Sequence, residues 1–171
     1  MIHHHRLQDA TYVASSNFND RPTTEISLIV IHNISLPPNE FNNNNIEHFF
    51  TNQLDFDAHP YFDTIRDVQV SAHLLIKRDG SIVQFVPFDK RAWHAGTSNL
   101  KGRDNCNDFS IGIELEGSDN TAYESVQYQA LNKVIKLLKK HYPITDIKGH
   151  SDIAPGRKTD PGPQFKWSNI T

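Results

Sequence analysis

The clearest hydrophobic patterns along this 171-residue chain belong to strands. Ile26 to Ile31 is apolar at nearly every position and rich in β-branched side chains, which predicts a central strand covered on both faces. Phe109 to Glu116 instead alternates, with Phe109, Ile111, Ile113 and Leu115 on one face and Ser110, Gly112, Glu114 and Glu116 on the other. The apolar face must meet a core, and the small, acidic face suits the floor of a pocket. Val70 to Lys77 and Ser81 to Val86 flank Arg78-Asp79-Gly80, and Asp-Gly is a favoured pair for a tight hairpin. Val126, Ala130, Leu131, Val134, Leu137 and Leu138 recur at helical spacing behind Thr121-Ala122-Tyr123-Glu124, read as a capping box, and predict a helix ending near Pro143.

Weaker patterns complete the order of elements. Ile46, Phe49, Phe50 and Leu54 predict a short packed helix, after a loop from Asn33 to Asn45 that holds Pro37-Pro38 and a run of asparagines. Ile144 to Lys148 reads as a short strand that delivers His150, while residues 1 to 25 are polar and expected to be irregular. Strands alternating with helices, and no internal repeat, predict an α/β fold: a single domain over residues 1–171 with a mixed central sheet flanked by helices.

Composition narrows the setting. At 37% hydrophobic, a chain of this length can bury a core without staples, and one cysteine, Cys106, forms no internal disulfide, which fits a reducing cytosol. The N-terminal residues lack an apolar signal core, and no run of about 18 apolar residues occurs. Neither export nor membrane spanning is expected, and the assignment is cytoplasmic. A net charge of −3 and a pI near 6.3 argue against a nucleic-acid binder, including a metal-dependent nuclease. Lys136, Lys139 and Lys140 fall late in a predicted helix, where cations suit the helix dipole.

Candidate chemistry concentrates in His150-Ser151-Asp152-Ile153-Ala154-Pro155-Gly156-Arg157-Lys158-Thr159-Asp160-Pro161-Gly162. The prolines and glycines oppose a helix there and let the segment fold back, so that His150 and Asp160 can share one ion. His32, at the end of the first predicted strand, supplies a third ligand. Two histidines and a carboxylate form a catalytic zinc set with one position left for water. Lys158 is then placed to stabilise an oxyanion, and Glu114 to act as general base. Glu116, one pleat from Glu114, raises the alternative of a glycosidase pair, but that leaves the metal-like loop unexplained. The other histidines have structural readings: His48 and His141 on helices, His59 in a turn beside Pro60, His73 as a hydrogen-bonded strand residue, and His3-His4-His5 as a run without a metal role.

Several blocks of sequence resemble the cytosolic AmpD-type zinc amidases, anhydro-N-acetylmuramoyl-L-alanine amidases of bacterial wall recycling. They are His32 to Pro38, Val70 to His73, Phe88 to Gly96, Asn107 to Gly117 and Arg157 to Pro163, and the resemblance runs from about Arg21 to Pro163. It implies the sheet-and-helix fold shared with peptidoglycan recognition domains, with zinc on His32, His150 and Asp160, and catalytic roles for Glu114 and Lys158. It also implies that Asn33, Trp93 and His94 line the substrate groove. The implied substrate is a small anhydro-muropeptide, cut by a monomer between the lactyl group and L-alanine. Gln69 and Asn105 depart from expected arginines, and Gly156 from an expected acidic residue. A non-catalytic peptidoglycan-binding module and an amidase acting on intact cell wall are the competing readings. A mobile flap formed by the Asn33 to Asn45 loop and Asp55 to Arg66 is a further expectation.

Overall fold

A computed structural model describes residues 1–171 and centres on a six-stranded mixed sheet. In chain order its strands are β1 (Thr11–Tyr12), β2 (Leu28–Ile34), β3 (Leu74–Ile76), β4 (Ile82–Gln84), β5 (Ser110–Glu116) and β6 (Asp146–Gly149). Across the sheet they run β6-β2-β5-β3-β4-β1. The central strands β6, β2, β5 and β3 are parallel, and β4 turns back antiparallel to β3 through the Asp79-Gly80 hairpin. Gly80 takes φ +83, a conformation that costs a glycine little.

The two faces are covered differently. Ile29 and Ile31 of β2 and Ile111, Ile113 and Leu115 of β5 point to the face packed by the helix α2 (Ser125–His141). Leu131, Val134, Ile135 and Leu138 bury the helix stripe against them. Leu28 and Val30 point the other way, against Ala95, Cys106, Phe109 and Ile153. Next to them Leu75, Val83 and Phe85 pack on Phe62 and on Phe49 and Phe50 of the short helix α1 (Asn45–Phe50). One long helix therefore covers one face, and short helices and loops cover the other, where side chains reach a cleft.

Three expectations change in detail. The N-terminal residues are not irregular: Ile2–His3 pairs with Arg6–Leu7, Phe18–Asp20 pairs with Lys90–Ala92, and β1 joins the main sheet beside β4. The helix α2 begins three residues later than the proposed box implies, with Glu124 rather than Thr121 as N-cap and its backbone N–H donating 3.0 Å to Gln127 Oε1. The segment after β6 is not wholly non-helical either. His150–Ile153 forms a single turn, α3, whose first turn is tied by Gly149 N–H donating 2.7 Å to Asp152 Oδ2. It ends before Pro155, and the chain then folds back as the prolines and glycines require.

Candidate metal centre

Strand register builds the site. Glu114 of β5 lies level with His32 of β2, and Gly149 of β6 lies level with Ile31, so His150 follows level with His32. His150, His32 and Glu114 thus stand in a row across three parallel strands at their C-terminal ends, where open α/β sheets place ligands. Asp160 arrives from the folded-back loop, held there by Ser151 N–H donating 2.9 Å to the Asp160 carbonyl. Gly156 and Gly162 take φ +76 and +78 in that loop. The left-handed backbone at 156 suits glycine and gives a local reason for its presence there.

The ligand atoms form a small triangle. His32 Nδ1 lies 3.0 Å from His150 Nδ1 and 3.0 Å from Asp160 Oδ2, and His150 Nδ1 lies 3.1 Å from the same oxygen. His32 and His150 are 1% and 3% exposed. Three such atoms, buried and aimed at one another, can hold a metal ion. Burial pushes the His32 imidazole below its usual range, against the opposing pull of Asp160. Burial would raise the Asp160 carboxyl, but hydrogen bonds and positive charge from His150 and His32 outweigh it and hold the group below the usual carboxylate range.

Glu114 is 8% exposed, and its Oε2 is buried without a hydrogen-bond partner. Burial, reinforced by the negative charge of Asp160, raises its carboxyl well above the ordinary range, and Lys158 partly offsets this. Glu116 differs although it shares the face: its two oxygens accept from the backbone N–H groups of Asn42 (2.7 Å) and Arg78 (2.9 Å). It anchors two loops, so the two carboxylates do not face one cleft as a glycosidase pair would.

The cleft measures about 510 Å³, within the usual range for small-ligand sites. His32, His150, Asp160, Glu114 and Lys158 lie on it, as do Asn33, Trp93 and His94. Asn33 Nδ2 donates to Asp119 Oδ1 (2.8 Å) and to the Pro161 carbonyl (3.1 Å), and Trp93 Nε1 donates 2.9 Å to Asn19 Oδ1. Tyr61, Ile65, Val68 and Val70 form an apolar side, and Ser118, Asp119, Asn120 and Arg157 add polar groups that the sequence reading had not singled out. No periodic pattern marked these loop residues. Of the two segments expected to form a flap, Ile34, Ser35, Leu36, Pro38 and Asn39 of the first and Tyr61 and Ile65 of the second line the cleft. Gln69 is exposed between Val68 and Val70, and Asn105 takes a left-handed φ of 58, which asparagine tolerates well.

The remaining histidines fall outside this cluster. His73 is fully buried and hydrogen-bonded: Gly112 N–H donates 3.0 Å to its Nδ1, and its Nε2 lies 2.9 Å from the Lys90 carbonyl. His48 and His141 are on α1 and α2, and His59 caps the turn that opens at Pro60. His3, His4 and His5 are exposed, with His5 Nδ1 lying 2.8 Å from the Tyr142 hydroxyl.

Residues 22–163 match the N-acetylmuramoyl-L-alanine amidase family. The chain belongs to that family. It is 58% identical over 164 residues to the 1,6-anhydro-N-acetylmuramyl-L-alanine amidase AmpD of Salmonella typhimurium strain SL1344, covering 94% of this chain and 88% of that protein. The crystal structure of a selenomethionine AmpD derivative superposes with a TM-score of 0.98 at 53% identity, covering 99% of this chain and 97% of that one. The Escherichia coli amidase AmiD, solved with anhydro-N-acetylmuramic acid-L-Ala-D-γ-Glu-L-Lys, matches at a TM-score of 0.60 and 31% identity, over 96% of this chain and 59% of that one. The fold expectation is met, and the chain is an amidase. No helix is long and apolar enough to cross a membrane.

Proposed function

We propose that this amidase is a zinc enzyme that hydrolyses the amide between the lactyl group of anhydro-N-acetylmuramic acid and L-alanine in muropeptides, within cytoplasmic peptidoglycan recycling. The observation that carries it is the triangle of His32 Nδ1, His150 Nδ1 and Asp160 Oδ2 beside the unpartnered oxygen of Glu114. Tetrahedral zinc with ligands at about 2.0–2.1 Å spaces its donors by roughly 3.3–3.4 Å. The observed 3.0–3.1 Å edges are a few tenths of an ångström short of that, a difference small side-chain rotations absorb. Two imidazoles and a carboxylate also match the mixed nitrogen and oxygen sets that zinc accepts.

His32, His150 and Asp160 would hold the ion, which when bound would supply Lewis-acid polarisation of the scissile carbonyl and a more acidic attacking water. Glu114 accepts a proton from the attacking water through its carboxylate, which the fold leaves without a hydrogen-bond donor on the buried Oε2. It then delivers the proton to the L-alanine nitrogen as the C–N bond breaks. A carboxyl raised by burial is a better base than a solvated one, and its isolation from other donors keeps that oxygen available. Lys158, on the cleft wall, stabilises the oxyanion of the tetrahedral intermediate. Asn33 and Trp93 orient the muropeptide against the apolar and polar sides of the cleft. The enzyme acts as a monomer on a soluble small molecule.

The decisive experiment incubates the purified chain with anhydro-muropeptide, with and without a chelator, and weighs the products. Release of free peptide and anhydro-sugar, abolished by chelation and restored by zinc, is expected. Intact sacculi in a parallel reaction should be cut far more slowly. An inert zinc-loaded protein would overturn the reading.

A further inference from the structure

His32 and His150 both turn Nδ1 toward Asp160 Oδ2. Each can ligate there only with Nδ1 bare and its proton on Nε2. A neutral imidazole has two tautomers, so the Nε2 proton of each ring needs an acceptor. One two-residue segment supplies both. His150 Nε2 lies 3.0 Å from the carbonyl oxygen of Ala95, which can only accept. His32 Nε2 lies 2.9 Å from Nδ1 of the preceding residue, His94, with the rings nearly perpendicular at 85°.

His94 can accept at Nδ1 when its own proton is on Nε2, and that atom has Ser110 Oγ 3.1 Å away. The hydrogen bonds then run in one direction, from His32 to His94 to Ser110, and leave a lone pair on His32 Nδ1. In the reverse direction His94 would donate, and His32 would point a proton at its fellow ligands. The packing shows how tightly His94 is held. A Cβ at Gly112 would lie within 2.6 Å of both Cδ2 and Nδ1 of the ring, so a strand glycine makes the room it occupies. The segment is fastened by the buried side chain of Asn107, whose Oδ1 accepts from the His94 N–H (3.2 Å) and the Ala95 N–H (2.8 Å).

We propose that the His94–Ala95 segment sets the tautomer of both histidine ligands, His94 through its ring and Ala95 through its carbonyl, with Asn107 holding it in place. His94 is then a positioning residue that serves the reaction through His32, although it borders the cleft. The inference rests on the metal reading given above.

The test uses the full chain and two replacements. His94→Asn keeps an oxygen near the Nδ1 position that can accept from His32, and His94→Leu removes it. Circular dichroism and melting establish that both fold. Zinc affinity is read by competition with a chromophoric chelator, and the cobalt-substituted spectrum reports coordination. His94→Leu should bind zinc about 10–100-fold more weakly, with a shifted cobalt spectrum, while His94→Asn recovers most of the affinity. In zinc-loaded, ¹⁵N-histidine-labelled protein, His32 and His150 should both carry their proton on Nε2. Unchanged affinity in His94→Leu, or equal losses in both variants, would overturn the proposal. If His94→Leu does not fold, Ser110→Ala replaces it: a smaller but measurable loss is expected, and none would count against the relay. An unaltered protein that binds no zinc is a separate failure, because it overturns the metal reading itself.

Discussion

Glu114 and Glu116 stand one pleat apart on β5, on the same face and both buried, yet the regions around them have opposite designs. Around Glu116 every demand is met: two backbone N–H groups from separate loops donate to its two oxygens, and Gln127 Nε2 from α2 donates 3.0 Å to its carbonyl. Around Glu114 the demand is left open, with one oxygen unpartnered beside three converging ligand atoms. A satisfied buried carboxylate stabilises the fold, and an unsatisfied one costs stability. In the proposed mechanism that cost has a use, because the free oxygen takes part in the reaction.

Exchanging either carboxylate tests the contrast. Glu114→Gln should have the largest effect on chemistry, lowering kcat about 10²–10⁴-fold in the cleavage assay. Its carboxyl is raised in the folded protein, so the folded state holds the proton longer than the unfolded chain, and the charge becomes a burden as pH rises past the unfolded value. Metal-free Glu114→Gln should therefore melt at the same or a higher temperature than the parent at neutral pH. A variant that retained full turnover would remove Glu114 from the mechanism. Lys158→Ala should come next, with a loss of roughly 100–1,000-fold in kcat and undiminished zinc content by metal analysis. Near-parental turnover would exclude the oxyanion role.

Glu116→Gln should reverse the pattern. Turning one acceptor into a donor that faces a backbone N–H costs about 1–3 kcal/mol, a fall of several degrees in Tm by calorimetry, with turnover changed little. A large loss of kcat without a stability change would reassign Glu116 to the chemistry. A pH series extends the same lesson to a histidine. His73 is buried neutral, with its pKa pushed down to about 3 by burial and by Arg21. The unfolded chain binds that proton first as pH falls, so stability is full above about 6.5 and declines toward 3. Melting between pH 7 and 4 should show this decline, and His73→Asn should flatten part of it.

Much of this was readable along the chain because the patterns concerned are local. The apolar run at Ile26 to Ile31 and the alternation from Phe109 to Glu116 mark the two central strands, Leu28–Ile34 and Ser110–Glu116, and Asp79-Gly80 became the hairpin. Phe109, however, precedes its strand and packs with Leu28 and Val30 on the face opposite Ile111. His32 and His150 could be singled out because each lies at the C-terminal end region of a strand, His32 two residues before the end of β2 and His150 directly after β6, and Asp160 because turn residues bring it back. The N-terminal residues were misread as irregular for a physical reason. β1 pairs over only two residues, Thr11 with Val83 and Tyr12 with Gln84, too short to impose a period. No local pattern marks Arg21, yet its guanidinium donates to the carbonyls of Phe88, Asn107, Asp108 and Ser110.

The sequence by itself determined the strand periods, the turn chemistry and the kinds of ligand on offer, since each follows from side-chain type and spacing within a few residues. Only the tertiary structure decided which of two neighbouring glutamates keeps a free oxygen and which histidine supports another. Those outcomes depend on hydrogen-bond partners drawn from distant loops and on the register of parallel strands. Both are set when the chain closes on itself, and neither leaves a local period to read.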